Sequence, residues 1–332
     1  CQSWVGSSKI DYVLLTHFHN DHFGGASGLP VSDLSPNYVK QSLPYILDNF
    51  EVGELMVRGS PDYHYPFDMS SKADNSANCT NYIKAVKYQV EKRGVVSEKF
   101  VAGSNTQIQL RKDADSYPGF VVRNLAINGE IWNGGTGTNK TFPELNEIVV
   151  ANTKDVKSSD KCPAENHMSC MAKFSFGSFD FFTGGDGQYN GLSSFAWKDI
   201  ETPVAEVCGQ VEVMKADHHG TSNTNGTGYS NKCWAMRYLN PQVWIVNSWT
   251  DAHPRKDVYE GVTGLRPNAD VFITNACADQ QAYKDYASRT KGDIGHVVVR
   301  VCEGGSKYYV YVLTDSDRKS NVKVISGPYF SR

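Results

Sequence analysis

No stretch of this chain reaches the roughly 20 consecutive apolar residues that a membrane-crossing helix needs. Positive charge is also in short supply. The 33 Lys and Arg are outnumbered by 36 Asp and Glu, the net charge is −3, and the basic residues are scattered. Phosphate backbones are held by clustered cations, so nucleic acid is not favoured as a partner. Short basic groups such as Lys92-Arg93 read as a solvated helix face. The eight cysteines (Cys1, Cys79, Cys162, Cys170, Cys208, Cys233, Cys277 and Cys302) include no CxxC pair, which removes zinc-finger spacing. There is no internal repeat and no linker-like break in composition, so residues 1–332 are expected to form a single domain. The first residue is Cys rather than Met, and no leader sequence precedes it, so the chain is expected to be a processed or partial product.

What remains is an ordinary globular composition, 40% hydrophobic and 21% charged. Apolar segments of strand length alternate with helical patterns. Strands are expected over 10–16, 54–58, 120–127, 148–152, 211–216 and 243–247, with a hairpin over 169–175 and 178–183 and helices over 82–91 and near 233–238. A further helix is expected after Gly24-Gly25. The tail alternates apolar and polar over 296–301 and 308–313, like the last strands of a sheet. This interleaving implies an α/β fold, whose chemistry gathers on loops at the carboxyl ends of strands.

The decisive segment is Thr16-His17-Phe18-His19-Asn20-Asp21-His22-Phe23-Gly24-Gly25, directly after the first buried strand. Three imidazoles and a carboxylate within six residues would repel or be costly to desolvate without a cation to share. Imidazole nitrogen and carboxylate oxygen suit zinc, and also manganese or iron. His17 and His19 alternate toward one position, while Asp21 and His22 turn toward a second. Later segments repeat the strand-then-loop pattern: Thr183-Gly184-Gly185-Asp186, then Ala216-Asp217-His218-His219-Gly220, then Asn247-Ser248 running to His253-Pro254. The aromatic loop Tyr63-His64-Tyr65-Pro66-Phe67 either walls a pocket or anchors itself to the core.

The spacing HxHxDH followed by GG resembles the first motif of the metallo-β-lactamase superfamily. Gly184-Gly185-Asp186 is similar to that family's TGD motif with one Gly more, and Asp186 would be the carboxylate shared by two metals. His218-His219-Gly220, with Glu165-Asn166-His167-Met168-Ser169 upstream, resembles a narrower branch that includes ComEC-type DNA-uptake hydrolase domains and phosphorylcholine esterases. The resemblance implies an αβ/βα four-layer sandwich, here lacking the usual N-terminal strand pair. It implies two divalent ions, Zn2+ or otherwise Mn2+ or Fe2+, held by His17, His19, Asp21, His22, Asp186 and His219. Asp21 would orient a nucleophilic hydroxide bridging the metals, His218 would contact a scissile phosphate, and His253 is a candidate supporting or acid residue. Many superfamily members have a third His for the first metal in this region; Asn166 stands where the narrower branch usually has Asn, with His167 close but offset.

The function expected on this basis is phosphodiester hydrolysis of a small-molecule or phosphodiester substrate. A lactonase or other carboxyl-ester hydrolase, and a non-catalytic binding or structural protein retaining the fold, are the alternatives. Sequons at Asn78, Asn139 and Asn225 admit N-glycans. With an even set of cysteines they point to a secreted protein, with Cys162–Cys170 and Cys208–Cys233 as the expected local disulfides.

Overall fold

The computed structural model describes residues 8–71, 75–141, 164–189, 199–221, 233–316 and 319–332. The expected strand over 148–152, Cys1, Cys162, the Cys233 side chain and the sequon at Asn225 lie outside what is described. Three sheets are present among the described residues. The first is wholly parallel, in the order β1 (Lys9–Leu15), β2 (Glu51–Val57) and β3 (Val96–Lys99).

The second sheet has nine strands. They are β4 (Phe120–Ile127), β5 (Glu130–Ile131), β6 (Lys140–Thr141), β7 (Met171–Phe176), β8 (Phe179–Thr183), β9 (Val213–Lys215), β10 (Val243–Val246), β11 (Asp270–Ile273) and β12 (Thr290–Gly292). They lie in the order β12-β11-β10-β9-β8-β7-β4-β5-β6. Strands β8 to β12 run parallel, and the β4 to β8 side is antiparallel. The alternating tail does form strands, but in a separate antiparallel sheet of β13 (His296–Val301), β14 (Lys307–Ser316) and β15 (Lys319–Phe330).

Side-chain alternation along the strands sorts the layers. Leu15, Leu55 and Val57 point outward to α2 (Ser42–Asn49) and α3 (Ser76–Arg93), after the single-turn α1 (Asn20–Phe23). Tyr12, Leu14 and Met56 point inward, against Val122, Ile127, Cys170 and Ala172 of the nine-stranded sheet and its approach. The third sheet covers the same inner face further along, where Tyr308, Val310 and Val312 meet Val213, Val243 and Phe272. On the opposite face Met214, Trp244, Val246 and Val271 are covered by α4 (Glu201–Cys208), α5 (Cys233–Leu239) and α6 (Lys256–Leu265). The layers run helix, sheet, sheet, helix, which is the mixed αβ/βα architecture of a metallo-β-lactamase fold. No helix among the described residues is long and apolar enough to cross a membrane.

Helix α3 starts earlier than its apolar pattern predicts and buries Cys79, Tyr82, Ala85, Val86 and Gln89 at three- and four-residue steps. It stops at Gly94, whose left-handed backbone (φ 72°) lets the cap close onto Gln89. Arg93 departs from the expected solvated face, because its guanidinium donates to the carbonyls of Leu47 and Asp48 at the end of α2. No helix follows Gly25 directly; the next one begins at Ser42.

The expected disulfides need correction. Cys79, Cys170, Cys208, Cys277 and Cys302 are free. Cys170 packs with Met56, Val122 and Ala172, and Cys208, the last residue of α4, faces the core that this helix covers. Both behave as small core hydrophobes, and burial pushes both thiols up, Cys208 to about 12.

Candidate metal centre

Parallel pairing sets the floor of the site. Leu15 stands opposite Val57, so the residues just past both strand ends, Thr16 and Arg58, emerge side by side. The backbone N–H of Cys170 donates to Thr16 O at 2.9 Å, joining the two sheets beneath the first motif. From here His17 and His19 reach the centre, and the α1 turn brings Asp21 and His22 in beside them.

Asp186 arrives from the end of β8, and the additional glycine in its motif has a steric reason. A Cβ on Gly184 would lie 2.4 Å from Asp217 Oδ1. Gly185 is left-handed (φ 59°) and would meet Thr16 and Ser169 at 2.9–3.0 Å. Both positions require the chain to pass close to neighbours, which only glycine permits. The turn after β9 is strained in the same sense, since His218 (φ 44°) and His219 (φ 57°) are both left-handed. Such conformations cost on the order of 1–3 kcal/mol each and persist where surrounding structure enforces them.

Two groups of side chains offer ligand atoms within 4.8 Å of one another: Asp21, His22, Asp186 and His219, and His17, His19 and Asp186. Asp186 is common to both. The separations are 3.6 Å from His17 Nε2 to Asp186 Oδ2, 3.2 Å from His22 Nε2 to Asp186 Oδ1 and 3.5 Å from His219 Nε2 to Asp186 Oδ2. His17 Nε2 and His19 Nδ1 are 3.2 Å apart, and Asp21 Oδ2 is 3.3 Å from His219 Nε2. Ligands at about 2.0–2.2 Å around one tetrahedral ion stand roughly 3.3–3.6 Å from each other. These spacings match the edges of such coordination polyhedra as well as hydrogen-bond lengths. His22 Nε2 and Asp186 Oδ1 are buried and face each other and Asp21 within the cluster, an arrangement that also fits a shared cation.

Neighbouring groups orient the rings. His219 Nδ1 lies 3.2 Å from Asn247 O, where it donates and leaves Nε2 facing the centre. Thr16 Oγ1 sits 3.1 Å from His17 Nδ1 and 3.4 Å from His22 Nδ1, so it secures two rings at once. Burial, then the neighbouring His22, drives His17 well below the usual imidazole range, so it is neutral. Burial also opposes charge on His22, but hydrogen bonds to Asp186 and Asp21 outweigh it and raise His22 to about 9. His219 is raised for the same reason. Asp186 would be pushed up by burial, yet hydrogen bonds from His219 and His22 hold it far below the carboxylate range. Asp21 is depressed by the same two partners.

The structure brings His219, and not its neighbour, into the ligand group. His218 Nε2 is 4.0 Å from Asp186 Oδ2 and 3.4 Å from Asn166 Nδ2, and burial lowers His218 to about 4. His253 stacks on His219 at 4.8 Å between ring centroids, with Nδ1 buried, and burial followed by the charge of His219 lowers it to about 4. Asn166 donates to Gln188 Oε1 at 3.0 Å and stands outside both ligand groups, as does His167. In the aromatic loop, Tyr63 and Phe67 pack into the core, which makes the loop an anchor. Of its rings, Tyr65 is exposed.

Sequence reasoning missed Trp249. Its indole meets His219 edge-on at 4.3 Å and is 47% exposed, so it forms a rim beside the centre. The available signal was its position after β10, on the same side of the sheet as the other motif loops. Among the sequons, Asn78 Nδ2 donates to Asn20 Oδ1 at 2.6 Å, and Asn139 Nδ2 donates to Ala102 O at 2.8 Å and Glu130 Oε1 at 2.7 Å.

Comparison with known proteins points the same way. Residues 5–66 match the family model of the metallo-β-lactamase superfamily, a span holding β1, the HxHxDH turn and β2. No curated protein matches the chain. A solved structure from Parabacteroides distasonis, provisionally named a metal-dependent hydrolase, aligns at 13% identity with a TM-score of 0.32, covering 80% of this chain and 76% of that one. At that TM-score the likeness carries no argument. Over residues 5–66 the chain is thus similar to the metallo-β-lactamase superfamily, and the layered fold and the His/Asp cluster fit a metal-dependent hydrolase whose side chains could hold divalent ions at this centre.

Proposed function

We propose that the chain is a secreted metal-dependent phosphodiesterase acting on a small or extended diester. The observation that carries this reading is the neutral His218 imidazole beside Asn166, on the open side of a buried His/Asp cluster. Two divalent cations at the cluster, of which zinc fits the nitrogen-rich donor set, would supply Lewis acidity and water acidified to near-neutral pH.

The remaining work falls to the side chains. His17, His19, Asp21, His22, Asp186 and His219 would hold the ions. Asp21 Oδ2 keeps its negative charge at the more open edge and orients the attacking water by accepting its hydrogen bond. His218 is uncharged near neutral pH and offers an N–H to the phosphoryl oxygen on which charge develops, and Asn166 Nδ2 supports the ring. His253 stacks behind His219 and, with Trp249, shapes the wall that meets the leaving group.

Secretion is supported by the sequons, but no longer by the cysteines that proved free. A glycan on Asn139 would take one of two amide hydrogens already committed to Ala102 and Glu130. Any glycan is therefore assigned to Asn78 or Asn225.

The test is turnover of bis(p-nitrophenyl) phosphate by protein loaded with Zn2+ or Mn2+, run beside a panel of lactones. Diester cleavage that a chelator removes is expected. Lactone cleavage without diester cleavage would replace the phosphodiesterase reading, and cleavage of neither would make the chain a binding protein.

A further inference from the structure

Arg58 emerges just past β2 and is 1% exposed, one of the largest fully buried side chains in the protein. Its Nε donates to Glu165 Oε1 at 2.6 Å and its Nη2 to Glu165 Oε2 at 2.5 Å, a two-pronged pairing. Nη1 donates to Tyr65 O at 2.9 Å, and the guanidinium lies 5.1 Å from the centroid of the Phe18 ring. Glu165 Oε1 also accepts the backbone N–H of Phe18 at 2.7 Å. The Phe18 carbonyl accepts in turn from Asn75 Nδ2. Phe18 is the residue between His17 and His19, so both of its backbone polar groups are held by side chains from elsewhere in the chain.

We propose that Arg58 and Glu165 are positioning residues for the three-residue metal position formed by His17, His19 and Asp186. This rests on the metal-centre reading given above. Two imidazoles that alternate along an extended segment can face one ion only if the peptide between them is fixed. Rotation at Phe18 would swing their ring nitrogens apart. The four-residue position draws on Asp21, His22 and His219, which lie outside this clamp. The brace also joins the halves of the site, because Glu165 opens the 3-10 turn that carries Asn166 to His218. Nothing in the local sequence around Arg58 marks it for this task; parallel pairing with β1 brings it alongside the motif.

The test is metal affinity at each position, measured by chelator competition and by Co2+ absorption on metal-stripped full-length protein, together with the melting temperature of the stripped protein. Glu165→Gln keeps the side-chain length but presents an amide N–H to one Arg58 donor. It is expected to weaken the three-residue position by roughly 10–100-fold, as for other residues that orient ligands from behind. The four-residue position should change by less than about threefold. Arg58→Lys, whose single ammonium cannot span both carboxylate oxygens, should act alike and serves in place of Glu165→Gln if that variant does not fold. Arg111→Ala breaks a more exposed, single-bonded pair with Glu54 of the same β2 strand and should alter neither position. Unchanged affinities in the variants, or equal loss at both positions in step with lower stability, would overturn the proposal. A wild-type chain that takes up no metal would remove the metal-centre reading and the brace with it.

Discussion

The two metal positions share Asp186 and differ in almost everything else. The first is built from His17 and His19, held by a fixed extended segment, with His17 fully buried and neutral. The second adds the half-exposed Asp21 to His22 and His219, both of which bind protons more strongly than an ordinary imidazole. The first is thus poor in ligands, and its buried His17 is already deprotonated. The second is rich in ligands but must release protons before it can bind. Similar residue types thus make two sites of different character, because burial outweighs the nearby Asp186 charge at His17, whereas hydrogen bonds to Asp186 and Asp21 outweigh burial at His22 and His219.

The largest expected effect erases the contrast. Asp186→Ala should take bound metal from about two ions per chain to near zero by elemental analysis, and abolish turnover, because both positions lose the same carboxylate. His218→Ala should leave that metal content in place while lowering kcat/KM by about 10²–10³-fold, on the order of 2.7–4 kcal/mol, if its N–H meets the developing charge. Retained turnover in this variant would remove His218 from the chemistry.

Acidity should separate the positions further. From pH 9 down to pH 7 the proton on His22 competes increasingly with metal, so apparent affinity at the four-residue position should fall by up to about tenfold per unit for each proton displaced. His17 carries no such proton over that range, and the three-residue position should change much less. Equal pH slopes in a titration followed site by site would contradict the assignment of charge.

The smallest effects come from two asparagines. Asn78 donates to Asn20 and accepts from the Ala26 N–H, bracketing the turn that carries Asp21 and His22. Asn78→Ala should weaken the four-residue position a few-fold. Asn139→Ala should leave both positions alone and cost about 1 kcal/mol of stability, read from denaturant unfolding.

Legibility in the sequence followed distance along the chain. HxHxDH declares itself because four candidate ligands sit within six residues, and the fold places these side chains near Asp186 and His219. The α/β class was legible from interleaved strands and helices and the four-layer arrangement only through the resemblance of the motifs, whereas β3, β15 and α6 were not singled out. The partners of the brace are 107 residues apart, and no local pattern links Arg58 to Glu165. Trp249 looked like any exposed aromatic. The cysteines misled because an eight-residue step suggests a bridge, whereas the apolar surroundings of Cys170 and Cys208 decided their state.

The approach of Asp21 to His219 spans 198 positions of the chain. During synthesis, a ribosome delivering this protein has long released the HxHxDH segment before the last ligands exist. Closing so wide a loop adds only modestly to the entropic cost, but the closure waits on the packing of everything between. A nascent chain can therefore offer a cation only the imidazoles and carboxylate of its first motif. Cations held by all six side chains would then close a site whose halves the intervening apolar packing has already brought together.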